Sequence, residues 1–80
     1  MPDFDREKFA YAVAAKLSGA GVSGPRPAAR AFPGISPATW SRIGFGHPLS
    51  AANVLAVCRA VELDPFEFLV MDKAETRVAA

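Results

Sequence analysis

Eighty residues, 51% of them hydrophobic, suffice for one buried core and one domain spanning 1–80, near the size at which a single core becomes marginal and a second copy helps. One cysteine, Cys58, and one histidine, His47, exclude an intrachain disulfide and a four-ligand zinc set, and no run of about 18 apolar residues offers a membrane span. The net charge of +1 conceals a division: residues 16–61 hold Lys16, Arg26, Arg30, Arg42 and Arg59 with no acid, whereas 1–15 carry −1 and 62–80 carry −3.

Four helix starts follow one plan, a small polar cap preceded by an apolar residue that packs onto the first turns. Asp5 caps the first, with Phe4 against Phe9, and the stripe Phe9, Val13, Leu17 runs to Ser18-Gly19. A second, short helix is expected from Arg26 to Phe32, since the prolines of Gly24-Pro25-Arg26-Pro27 are tolerated only in a first turn. Pro33-Gly34-Ile35 then forms a tight turn. Ser36 caps a helix from Pro37 to Ile43, with Ile35 against Trp40 and Pro37 at the first helical position.

Ser50 repeats the plan with Leu49 and Val54, ahead of the stripe Val54, Val57, Cys58, Val61. Asp64 repeats it with Leu63 and Phe68, Pro65 first and Glu67 third, an acidic form of the capping box opening a last helix that carries Phe66, Leu69, Val70 and Met71. The stretch Asp72 to Ala80 extends that helix or stays loose. No segment alternates apolar and polar residues over five or more positions with β-branched enrichment, so no strand is expected. The fold class is all-α, a compact bundle of about five short helices.

Two short helices joined by a glycine-containing turn follow the helix-turn-helix plan, whose second helix lies in a major groove. From Phe9 to Leu69 the chain resembles the Cro and lambda-repressor-like helix-turn-helix regulators common in bacteria and their phages. Ala28-Ala29-Arg30-Ala31-Phe32 resembles the family's second helix, Gly34-Ile35-Ser36 its turn, and Thr39-Trp40-Ser41-Arg42-Ile43 its recognition helix. Gly46-His47-Pro48-Leu49-Ser50 corresponds to the following loop and Leu55 to Leu69 to the closing helices. Three features depart from the pattern. Pro33 lengthens the turn, Gly44 replaces a frequent acidic residue, and Gly24-Pro25-Arg26-Pro27 replaces a polar helix start. The resemblance implies a sequence-specific DNA-binding regulator, typically a repressor acting as a homodimer and often on its own promoter.

With Ile35, Trp40 and Ile43 turned to the core, Pro37, Ala38, Thr39, Ser41 and Arg42 face outward as candidates for reading duplex DNA. Arg42 carries a guanidinium fork suited to guanine O6 and N7, or to a phosphate. Thr39 and Ser41 offer hydroxyls, and Ala38 and the Thr39 methyl offer contacts to thymine. Ser36 is foremost a cap, although helix N-termini also receive phosphates. Arg26 and Arg30 lie where this motif crosses the backbone, and His47 lies in the loop after the recognition helix. Phe66, Leu69, Val70 and Met71 are the candidate dimer surface.

No nucleophile elbow, phosphate loop, carboxylate pair or histidine-acid cluster is present, Cys58 sits on an inner helical stripe, and neither an enzyme, a cofactor nor a small-molecule ligand is expected. The opening Met1-Pro2-Asp3-Phe4-Asp5 lacks the basic-then-apolar order of an export signal, so the expected location is the cytoplasm, on the nucleoid. Two rivals remain open: a protein-interaction module such as an antirepressor or co-regulator, and a nonspecific architectural DNA binder.

Overall fold

The computed structural model of the chain describes residues 2–71. All four caps form. Asp5 accepts the Lys8 N–H at 3.0 Å and opens α1 (Arg6–Gly19), and Ser36 accepts the Thr39 N–H at 3.2 Å and opens α3 (Pro37–Gly44). Ser50 accepts the Asn53 N–H at 3.2 Å ahead of α4 (Ala51–Val61). Between α1 and α3 lies α2 (Pro25–Ala31), with no side-chain cap. It starts at Pro25, so both prolines occupy the first turn, where a missing N–H forfeits no intrahelical bond.

Around Asp64 the structure departs from expectation. The carboxylate accepts the Phe66 N–H at 3.0 Å rather than that of Glu67, so the capping box does not form, and the segment winds only a short 3-10 helix, Pro65–Phe68. The Phe68 carbonyl, which a longer helix would use internally, accepts the Asp5 N–H at 2.7 Å. The chain then extends as β2 (Leu69–Val70), antiparallel to β1 (Asp3–Phe4), with Asp3 opposite Val70 and Phe4 opposite Leu69. The expected last helix is thus replaced by a 3-10 turn and a two-residue strand, and the expectation of no strands is corrected. Among the described residues the architecture is mostly helical, with four α-helices and this small sheet. The stretch 72–80 lies outside the described residues.

The core collects one stripe from each helix: Phe9 and Val13 of α1, Ala28 of α2, Trp40 and Ile43 of α3, and Val57, Cys58 and Val61 of α4, closed by Phe68. Leu17, Val54 and Ile35 are only half-buried, Ile35 against the expectation of full burial. Beneath the sheet, the Phe4 and Phe9 rings meet edge-on at 5.3 Å and Phe9 meets Phe68 at 5.3 Å, each pair adding about 0.5–1.5 kcal/mol beyond its burial. The Phe32 and Trp40 rings lie 5.7 Å apart and help lock α2 to α3, the most closely packed helix pair. The Trp40 indole Nε1 is buried with no hydrogen-bond partner among the described residues, a cost of about 1–3 kcal/mol set against the ring's large burial. Among the described residues, no helix is long and apolar enough to cross a membrane.

Candidate nucleic-acid interface

The connection 32–36 between α2 and α3 turns at Gly34, whose φ of 99° belongs to the left-handed region that side chains rarely enter. At the start of α3, Pro37 has no N–H and Ser36 takes that of Thr39. Only the Ala38 N–H of these first three helical positions is left to face outward. Ser36 is therefore committed to its own helix, although it remains exposed.

Thr39 is the principal correction among the candidate reading residues. It is 6% exposed, and its hydroxyl lies 3.1 Å from that of Ser36, so it stabilises the helix start from within and does not face solvent. Thr39 and Ile43 stand four residues apart and share the inner side of α3 with Trp40, as helical spacing requires. Pro37, Ala38 and Arg42 are exposed as expected, and Ser41 is half-buried. Arg26 and Arg30 are exposed on α2, and His47 is exposed in the loop after α3. That loop folds back on its helix: the Gly46 N–H reaches the Ile43 carbonyl at 3.0 Å and the His47 N–H reaches that of Arg42 at 2.9 Å.

One residue on this face escaped the sequence reading. Phe45, directly after α3, is 77% exposed, and its backbone dihedrals of −93° and 2° nearly continue the helix. At 3.6 residues per turn the outer stripe of α3 is therefore Ala38, Ser41, Arg42 and Phe45. Continuing the helical wheel past Gly44 would have found it. The Phe45 ring lies 6.1 Å from that of His47.

The charges divide along the described chain. Asp3, Asp5, Glu7, Glu62, Asp64 and Glu67 are the acids among the described residues, and they come from the two ends of the described chain. The β1–β2 pairing, the Asp5 to Phe68 hydrogen bond and a 3.2 Å bond from the Lys8 Nζ to the Glu67 carbonyl draw those ends together. α2 and α3 carry Arg26, Arg30 and Arg42 and no acid.

The four candidate dimer residues are all exposed, yet they do not form one face. Leu69 and Phe66 border a groove of about 430 Å³ with Leu55 and Leu49, whereas Val70, next along the strand, borders the depression shared by Tyr11 and Phe45. Cys58 is buried, and desolvation pushes its thiol pKa up, with the Asp64 carboxylate adding to the effect, so it is held as a neutral core thiol. No family model, no curated protein and no solved structure matches the chain.

Proposed function

We propose that the protein is a sequence-specific duplex-DNA-binding regulator of transcription, a repressor in its simplest form, that presents α3 to the major groove in a helix-turn-helix made by α2, the 32–36 turn and α3. The observation that carries this reading is the outer face of α3, led by Arg42 and beside α2 with Arg26 and Arg30, while every acid among the described residues lies outside these two helices. A phosphate backbone favours such a division, because affinity at moderate salt rests on cations that displace its counterions. Arg42 would take a guanine edge, with Ala38 and Ser41 beside it, and Arg26, Arg30 and His47 would meet phosphates.

Binding as a homodimer fits the small core and the exposed Leu55, Phe66 and Leu69 around their groove. Sedimentation of the protein, free and on DNA, measures this directly, and a strict monomer in both states removes the dimer.

Fluorescence anisotropy at physiological salt, comparing a duplex from the protein's own upstream region, or one selected from a random pool, with a scrambled duplex, tests the central reading. A specific reader separates the two by about 10³ or more. Equal, salt-sensitive binding to both supports an architectural role instead.

A second reading rests on one observation: α3 carries a single cation and neither asparagine nor glutamine. A protein-interaction module, antirepressor or co-regulator, would use the same face. It gains the lead if Arg42→Ala leaves DNA affinity unchanged and abolishes a protein complex.

A further inference from the structure

Phe45 is an apolar ring, three residues after Arg42, that the described residues leave largely exposed. It is the most exposed of the large hydrophobic side chains among the described residues. Its neighbours, Gly44 and Gly46, carry no side chain to screen it, and Gly46 reverses the chain with φ 70°. Three backbone hydrogen bonds hold this segment to α3: Phe45 N–H to the Ser41 carbonyl at 3.1 Å, and those of Gly46 and His47 described above. The backbone that carries the ring is therefore fixed relative to the outer stripe of α3.

We infer that Phe45 reads the 5-methyl group of a thymine in the major groove, an inference that rests on the DNA-reading function proposed above. Of the features that base edges present in that groove, the thymine methyl is the apolar one, and an aromatic ring is among its natural partners. The depression that the ring borders is also lined by Arg6, Tyr11 and the carboxylates of Asp3, Asp5 and Glu7. Those carboxylates disfavour phosphate beside the ring, which in this reading leaves it to base edges next to the Arg42 contact. Three residues along α3 span about 4.5 Å, little more than one base-pair step of about 3.4 Å. The thymine thus lies one or two base pairs from the position that Arg42 contacts.

The test uses the full chain and a duplex selected from a random pool. Each thymine of a half-site is replaced in turn by deoxyuridine, which deletes only the methyl, and affinity is measured for the wild type and for Phe45→Ala, with circular dichroism as the check on folding. The position read by Arg42 is identified from Arg42→Ala. The wild type should lose about fourfold at one thymine, the worth of one buried methyl group, one or two base pairs from the Arg42 position. Phe45→Ala should bind the thymine duplex at least that much more weakly and be indifferent to uracil there. If the wild type tolerates uracil everywhere, or Phe45→Ala keeps the same uracil sensitivity, the inference is overturned while DNA reading stands, and the exposed ring is left for a protein partner. If no duplex is selected from the pool, the DNA-reading function falls, and this inference with it.

Discussion

The Ser36 hydroxyl accepts the Thr39 N–H at 3.2 Å and lies 3.1 Å from the Thr39 hydroxyl, so the first turn of α3 is held by a small hydrogen-bonded knot that shields Thr39 from solvent. Ser36→Ala is expected to cost about 1 kcal/mol of stability, the usual worth of an N-cap. Thr39→Ala should cost a similar amount, and the double variant less than the two together, since both remove one shared arrangement. Urea denaturation measures all three. Any duplex preference should survive Thr39→Ala and be weakened in Arg42→Ala.

α4 is capped at its C-terminus by Glu62, which adopts the left-handed conformation (φ 59°, ψ 51°) and donates its N–H to the Cys58 carbonyl. Glycine occupies this conformation without the steric cost that a Cβ incurs, about 1–2 kcal/mol. Glu62→Gly is therefore expected to raise stability by up to about 1 kcal/mol, the remainder being offset by the greater freedom of glycine in the unfolded chain. A higher urea midpoint with an unchanged slope is the result to look for.

Phe68 is buried against Phe9 and Phe4, and its carbonyl accepts the Asp5 N–H. Phe68→Ala should cost about 3–5 kcal/mol. Amide exchange of Asp5 should accelerate more than that of Val57, because the pairing of the chain ends opens before the helical core does.

The raised thiol pKa of Cys58 has a defined sign. The folded state holds the neutral thiol, so its contribution is fully present below the ordinary thiol pKa and is lost as pH rises from there through the raised folded value. Between about pH 8 and pH 10, a range bracketing the ordinary thiol, wild-type stability should fall more steeply than that of Cys58→Ala. Thiol reagents should label Cys58 only when the chain is unfolded.

The caps at Asp5, Ser36, Ser50 and Asp64 were legible because capping is a local matter of residues three or fewer apart. Trp40, Ile43, Val57 and Cys58 are legible as core because three-to-four-residue apolar spacing leaves few alternatives on so short a helix. Thr39 was misread because a hydroxyl suggests solvent, whereas its spacing from Ile43 turns it inward and Ser36 satisfies it there. Leu69 and Val70 were read as helix because the start signal at Asp64 is genuine. What stops that helix is the N–H of Asp5, at the opposite end of the described chain, and no local pattern records so distant a partner. Phe45 escapes the pattern because the apolar spacing ends at Ile43, whereas the helix runs on to Gly44.

The pairing of Asp3 with Val70 and Phe4 with Leu69 makes the two ends of the described fold near neighbours. A unit whose ends meet can be set into a surface loop of a host protein with little stretching of either chain. By the same geometry, a short linker closing Val70 onto Asp3, with new ends opened in the loop between α3 and α4, should give a rearranged chain that folds to the same core.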